Sequence, residues 1–222
     1  MKKLVCIGGG EIPRIKNGIR LPYETKEIDE EIVRLSGKSN PKLLFISIAS
    51  SNREEYFNVI KKVYEDLGCV VSHFDVDSSY EEMKEAIFNT DIIYVGGGNT
   101  RYLMEVLRDK KIDELLIEAY NRGIVCSGLS AGSYCWFNHN YDLIYGMNVV
   151  NAINCVHYNL KDEEAKSKLY EVIKESNLVG YAVDNCVALE FIDDKINIIK
   201  SDNNRNAYKI TYVDGKFNEE KM

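Results

Sequence analysis

Apolar residues occur along the chain either in short runs of strand length or at the spacing of a helix face. These two patterns alternate, and they predict strands that alternate with helices. Short apolar runs of strand length recur up to residue 127, and segments with apolar residues at helical spacing separate them. The predicted strands of this part are 4–7, 42–49, 70–74, 91–95 and 124–127. Because strands that alternate with helices are typical of a parallel sheet covered on both faces, we expect an α/β fold.

The helices between these strands have clear apolar faces and end signals. Ile28, Ile32 and Leu35 mark one face of the first helix. Ser79 with Glu82 three residues later predicts a capping box at the start of another helix. The other predicted helices begin near residues 53, 100 and 111.

The pattern changes after residue 140. One amphipathic helix is predicted at about 161–176, and short strand-like runs follow at 179–183, 187–192, 196–199 and 207–212. We expect these runs to be antiparallel strands that extend the same sheet. Since no linker-like or low-complexity stretch interrupts the chain, we predict a single domain over residues 1–222.

Composition narrows the choice of partners and compartment. The 222 residues are 45% hydrophobic, which supports a packed core, and 28 Lys and Arg against 35 Asp and Glu give a net charge of −7. A negative surface repels phosphate backbones and anionic lipids, so we expect neither a nucleic acid nor a membrane as partner. No apolar run approaches the roughly 20 residues of a membrane helix, and we expect a cytoplasmic protein.

Six cysteines are present, but no two are spaced as a C-x-x-C pair. Most lie inside apolar stretches that look like buried strands, so neither a disulfide framework nor a zinc site is indicated. We expect no cofactor and no metal.

The segment after the strand at 124–127 carries the most informative motif. Gly128-Leu129-Ser130-Ala131-Gly132 is a G-x-S-x-G sequence between a predicted buried strand and a predicted helix that runs to Phe137. In that context Ser130 would stand at the carboxyl end of the sheet as a nucleophile, and the Ala131 amide could stabilise an oxyanion. The alternative is a glycine-rich turn that only lets a helix pack closely on a strand.

A second glycine-rich strand end, Gly96-Gly97-Gly98, should lie beside the Ser130 turn and could offer backbone N–H groups. Phosphate binding is the poorer explanation, because no Gly-Lys-Ser/Thr sequence follows.

Only three histidines could activate a serine hydroxyl. His157 follows a predicted strand and precedes the helix at 161–176, which makes it the candidate general base. His139 is expected to be a solvated residue at the end of the helix after Ser130, and His73 a structural residue within a strand.

Together these residues resemble the dipeptidase E-like serine peptidases, also called aspartyl dipeptidases, which are related to cyanophycinase. The segments that carry the resemblance are 8–10, 96–100, 128–137, 157–158, 180–184 and 207–208. The resemblance implies a glutamine-amidotransferase-like or flavodoxin-like sandwich with Ser130 as nucleophile and His157 as base. It also implies an oxyanion hole made by Gly97 and Ala131.

The family places an acidic residue between the serine and the histidine. Asp142 is the only acid between residues 131 and 156, so the resemblance assigns it to orient His157, while an ordinary turn aspartate is the alternative. The Gly-Glu-Thr-Arg-like stretch of typical members after the histidine is absent. Lys161 and Arg101 are conceivable partners for a substrate carboxylate, or solvated helix residues.

The sequence therefore predicts a serine-type peptidase acting on short peptides, dipeptides above all, with peptides that begin with aspartate as one candidate class. One rival is a small esterase or amidase that uses the same Ser–His pair, although the His-Gly type oxyanion loop of such enzymes is not seen. Another rival is a catalytically silent relative that binds a ligand or partner in the same cleft.

Overall fold

The structure is a computed structural model that describes residues 1–16 and 18–222. Its strands are β1 (Lys3–Ile7), β2 (Ile15–Lys16), β3 (Ile19–Arg20), β4 (Lys42–Ile46), β5 (Val70–Ser72), β6 (Ile92–Val95), β7 (Val125–Leu129), β8 (Phe137–Asn140), β9 (Val150–Val156), β10 (Gly180–Val183), β11 (Val187–Ile192), β12 (Lys195–Lys200), β13 (Ala207–Val213) and β14 (Lys216–Lys221). Its helices are α1 (Lys26–Leu35), α2 (Arg53–Asp66), α3 (Tyr80–Phe88), α4 (Thr100–Asp109), α5 (Ile112–Asn121), α6 (Ala131–Tyr134) and α7 (Glu163–Ser176), with a 3-10 turn at Tyr158–Leu160.

The larger sheet has seven strands in the order β12-β11-β1-β7-β6-β4-β5. Its central strands run parallel, and β11 and β12 are added antiparallel at one edge. The helical segments between the parallel strands bury their apolar faces on this sheet; Ile28, Ile32 and Leu35 of α1 are buried. The predicted α/β class, a mostly parallel sheet flanked by helices with antiparallel strands added near the C-terminus, is confirmed.

The later strands divide between two sheets, which corrects the expectation that they all extend the first one. A second sheet has the order β14-β13-β10-β9-β8, and within it β8, β9 and β10 are parallel. Hydrophobic alternation identifies a strand but not its neighbour, so the sequence pattern could not separate the two sheets. Phe137, Tyr181 and Phe191 contact one another edge to face between the sheets, and these contacts place both in one core.

The segment after Ser130 also departs from expectation. The helix there is a single turn, Ala131–Tyr134, and Phe137 begins β8 instead of continuing the helix. Trp136 and Phe137 are fully buried because they enter the core between the sheets, a tertiary effect that their helical spacing does not reveal.

The described ranges contain no helix that is both long and apolar enough to cross a membrane.

Candidate active site

Ser130 lies on a sharp turn between β7 and α6. Its backbone has φ of 54° and ψ of −111°, a conformation that costs energy for any residue except glycine. The turn also needs small flanking residues. A methyl group on Gly128 would overlap the Gly132 carbonyl, and one on Gly132 would overlap the Val95 carbonyl. The close approach of β6, β7 and α6 therefore depends on these two glycines, and it leaves Ser130 partly exposed at the carboxyl end of the sheet.

His157 reaches the serine from the second sheet. It directly follows β9, and its Nε2 lies 2.8 Å from Ser130 Oγ. The end of β1 connects the two residues, because the Ile7 carbonyl accepts from the Ser130 amide at 3.1 Å and the Gly8 carbonyl accepts from the His157 amide at 2.9 Å. The structure thus brings together the predicted nucleophile and the predicted base.

Asn185 holds the other side of the imidazole. His157 Nδ1 lies 2.6 Å from Asn185 Oδ1. An amide oxygen can only accept, so Nδ1 carries the proton and Nε2 presents its lone pair to the Ser130 hydroxyl. Asn185 is in turn fixed by Asn159, whose Oδ1 accepts a hydrogen bond from the backbone N–H of Asn185 at 2.8 Å.

A glycine triplet, Gly8-Gly9-Gly10, follows β1, and Gly9 shows why glycine is needed there. It has φ of 149°, and a methyl group at this position would overlap His157 Nδ1 and Asn185 Oδ1. Its carbonyl accepts from the Cys186 amide at 2.9 Å. The backbone of Gly9 is therefore packed directly against the His157–Asn185 pair.

The structure does not place Asp142 in its predicted role. Its carboxylate lies on the surface and pairs with Lys168 Nζ at 2.6 Å, and its side chain is 44% exposed. Both ring nitrogens of His157 are already engaged, by Ser130 and by Asn185. The assignment of Asp142 to orient His157 is corrected: the neutral side chain of Asn185 occupies that position.

Burial lowers the pKa of His157 below its ordinary value. The hydrogen bond to Asn185 acts in the opposite direction, and the positive charge of Lys161 lowers the pKa further. The imidazole is therefore neutral at physiological pH, which is the protonation state that a general base needs.

The two predicted oxyanion donors lie beside Ser130. A methyl group on Gly97 would be 3.4 Å from Ser130 Cβ, and the Gly97 amide donates to the Tyr56 hydroxyl at 3.3 Å. Ala131 is the first residue of α6, and its amide has no partner among the described residues. Both N–H groups are thus within the immediate surroundings of the serine.

The other two histidines differ from expectation. His139 lies in β8, not at the end of a helix; it is buried, and its Nδ1 lies 2.9 Å from the Asn140 carbonyl. His73 lies just beyond β5 and is exposed, with its ring packed on Phe57. Neither histidine contacts Ser130.

Two hollows meet at His157. The larger hollow has a volume of about 760 Å³ and contains Ser130, Gly97 and His157, with further lining from residues 10–12, 14–15, 50–52, 55–56, 59, 98 and 129. The smaller hollow, of about 430 Å³, contains His157 but not Ser130, and its charged lining is Arg101, Asp142 and Lys161. Lys161 Nζ donates to the Tyr141 hydroxyl at 2.8 Å, which holds the ammonium group in the smaller hollow.

Sequence reasoning missed Asn185 and Tyr56. A signal for Asn185 exists, because it follows β10, which runs parallel to β9, and polar residues at the ends of adjacent parallel strands meet at one edge. That signal could be used only if β10 were known to be parallel. Tyr56 lies at a core-facing position of α2, and the sequence offers nothing that separates it from a packing residue.

Comparison with known proteins identifies the family of this chain. The sequence model of peptidase family S51 matches residues 18–199, which makes the protein a peptidase and hence a hydrolase. The chain belongs to peptidase family S51, and the predicted resemblance to dipeptidase E-like peptidases is confirmed.

Relatives support the assignment, and solved structures share the fold. An uncharacterized peptidase of Bacillus subtilis, YgaJ, is 27% identical over 99% of this chain and 96% of its own length. Peptidase E of a Nostoc species is 33% identical over 47% of this chain and 43% of its own length. The fold is shared with a putative peptidase E of Listeria monocytogenes, with a TM-score of 0.68, 23% identity and coverage of 90% of this chain and 98% of that one. It is also shared with a peptidase from an acI-B1 actinobacterium, with a TM-score of 0.74, 18% identity and coverage of 100% and 97%.

Proposed function

We propose that this protein is a serine peptidase that hydrolyses short peptides through an acyl-enzyme on Ser130. The observation that carries the proposal is the 2.8 Å contact between Ser130 Oγ and a neutral His157 whose other nitrogen is held by Asn185. A serine hydroxyl becomes an effective nucleophile when a positioned base takes its proton, and this arrangement supports that step.

In the first half-reaction Ser130 Oγ attacks the carbonyl carbon of the substrate while His157 Nε2 takes the hydroxyl proton. The carbonyl oxygen becomes negative, and the Gly97 and Ala131 amides stabilise it. The tetrahedral intermediate collapses, the C–N bond breaks, and His157 gives its proton to the departing amine. In the second half-reaction His157 takes a proton from water, whose oxygen attacks the acyl carbon. The C–O bond to Ser130 Oγ then breaks, His157 returns the proton to that oxygen, and the acid is released.

The two hollows support a substrate of about two residues. Since His157 must protonate the leaving amine, the leaving residue belongs in the smaller hollow, which borders His157 but not Ser130. The Lys161 ammonium and the Arg101 guanidinium there are suited to a free C-terminal carboxylate. The leaving residue of a dipeptide carries such a carboxylate.

The residue that is acylated belongs in the larger hollow, beside Ser130 and Gly97. Arg14 lines this hollow; its Nη2 pairs with Glu11 at 2.9 Å, and its Nε has no partner among the described residues. We therefore propose that this hollow accepts an N-terminal aspartate as one of its substrate residues.

A small panel of substrates tests the proposal. It contains dipeptides with aspartate, neutral or basic first residues, together with the C-terminal amide of each. We expect hydrolysis of the free dipeptides, weaker hydrolysis of the amides, and loss of about 10³-fold or more in kcat in Ser130→Ala and in His157→Ala. A Ser130→Ala variant that hydrolyses the panel at the wild-type rate would exclude the mechanism, and a wild-type protein that hydrolyses none of it would favour a binding role.

A further inference from the structure

Tyr56 lies next to Gly97 and lines the same hollow as Ser130. The Gly97 N–H, which is one of the proposed oxyanion donors, points at the Tyr56 hydroxyl over 3.3 Å. Tyr56 also lines the larger hollow together with Ser130. Tyr56 therefore borders the same hollow as the serine, although α2 is remote in sequence from Gly97 and Ser130.

The surrounding side chains fix the position of the Tyr56 ring. Its edge packs on Phe45, with ring centroids 4.9 Å apart and an interplanar angle of 78°. Gly96 gives it room, because a methyl group there would be 2.9 Å from Tyr56 Cε1. A glycine at this position lets the ring reach the sheet end, so the hydroxyl is set before any substrate arrives.

The Tyr56 hydroxyl has a proton to give. Burial raises the pKa of Tyr56 to about 12, so the phenol is neutral at physiological pH. The hydroxyl accepts from Gly97, and it donates to no group among the described residues. A neutral phenol that accepts from a backbone amide is polarised toward donation, and its proton is available to an oxygen in the larger hollow.

We propose that Tyr56 is a third oxyanion donor, whose hydroxyl donates a hydrogen bond to the substrate carbonyl oxygen as that oxygen becomes negative. No covalent change occurs at Tyr56, and its proton stays on Oη throughout. In this proposal the Gly97 N–H, which donates to Tyr56 Oη in the free protein, is shared with the substrate oxygen during the reaction, and the Ala131 amide donates to the same oxygen. This inference rests on the proposed acyl-enzyme at Ser130.

The variant Tyr56→Phe tests the inference, because it keeps the ring and its packing and removes only the hydroxyl. We expect kcat to fall about 100-fold, while KM changes less than about threefold, as for the loss of a donor that acts in the transition state. Inhibition by a peptide aldehyde, whose adduct with Ser130 carries an oxyanion, should weaken by a similar factor.

Tyr94→Phe is the matched control. Tyr94 is fully buried, its ring also packs on Phe45, and its hydroxyl has no partner among the described residues, but it does not line the larger hollow. We expect its kcat and aldehyde affinity to equal those of the wild type. Stoichiometric labelling with a fluorophosphonate counts folded sites in each variant, so that a loss of folded protein is not mistaken for a loss of rate.

The outcomes separate the inference from the proposed function. If the wild type hydrolyses the dipeptides and Tyr56→Phe matches Tyr94→Phe in kcat, the inference is wrong and the proposed function stands. If Tyr56→Phe raises KM with kcat unchanged, Tyr56 only binds the ground state, which also overturns the inference. If Ser130→Ala retains full activity, the proposed function itself fails.

Discussion

At the scale of single residues, the contact between His157 and Asn185 decides how the site depends on pH. Hydrolysis requires neutral His157, so the acid limb of kcat/KM reports its pKa. Burial lowers that pKa, and the neutral amide of Asn185 supplies no negative charge to oppose the effect. We therefore expect activity in the wild type to persist below the pH at which an ordinary histidine becomes protonated.

The variant Asn185→Asp should move this limb. A carboxylate at 2.6 Å from Nδ1 favours the imidazolium, so the pKa of His157 rises and the limb shifts upward by about 1 pH unit or more. The measurement is the pH profile of kcat/KM for a dipeptide. Asp142→Asn is the control, and its limb should stay in place because Asp142 pairs with Lys168. A shift in Asp142→Asn without one in Asn185→Asp would restore the predicted role of Asp142.

The residue scale also shows what the sequence could predict. Ser130 could be recognised because small residues surround it on a sharp turn. His157 could be recognised because it follows the end of a strand. The partner of His157 was not recognisable, because any carboxylate or amide can fill that role. Only the pairing of β9 with β10 brings Asn185 to it.

At the scale of elements, the ends of β1, β6 and β7 are joined by backbone contacts that leave no room for side chains. After β1, the backbone of Gly9 packs directly against His157. Gly132 packs against the Val95 carbonyl at the end of β6. The sequence predicted this crowding around Ser130. It did not predict the role of Gly9, because nothing in the first glycine triplet reveals that a histidine 148 positions later will lie against it.

We expect Gly9→Ala to lower kcat/KM by at least about 100-fold, because the added methyl group displaces the His157–Asn185 pair. The measurement is kcat/KM together with the Tm of each variant. Gly68→Ala is the control for backbone strain. Gly68 also has a positive φ, 89°, but its nearest neighbour would be 3.7 Å from the methyl group and it lies at the end of α2. Equal losses of activity in both variants would show that strain alone, and not contact with His157, explains the effect.

At the scale of the whole molecule, the second sheet is what completes the site. Ser130 follows β7 of the larger sheet, and His157 and Asn185 follow β9 and β10 of the smaller one. The sequence indicated every strand that supplies these residues. It could not indicate which sheet each strand joins, because alternation of apolar and polar residues is the same in both.

Global stability carries a pH dependence that originates away from the site. Asp29 is 1% exposed and accepts hydrogen bonds from Thr25 Oγ1 at 2.8 Å and Tyr64 Oη at 2.7 Å. Burial raises the pKa of Asp29 from its ordinary value of 3.8 to about 6. The folded state therefore holds this proton more tightly than the unfolded state, and the associated stability is full below pH 4 and lost as pH rises through about 6.

We expect Asp29→Asn to remove this contribution to the pH dependence. The free energy of unfolding of the variant, relative to the wild type, should increase by about 3 kcal/mol between pH 4 and pH 8, as about two pKa units require. Urea unfolding of variant and wild type at both pH values measures this change. A hydrogen bond that asparagine makes less well than aspartate lowers the stability of the variant equally at both pH values, so it does not affect the change between them. A difference that is the same at both pH values would show that Asp29 has an ordinary pKa in the folded protein.

Covalent labelling tests whether Ser130 attacks its substrate with the help of His157. The wild-type protein is treated with a fluorophosphonate, and the modified peptide is located by mass spectrometry. We predict one label per chain, on Ser130, and labelling slowed by at least about 100-fold in His157→Ala. A label on another residue, or one that persists at full rate in Ser130→Ala, would contradict the account.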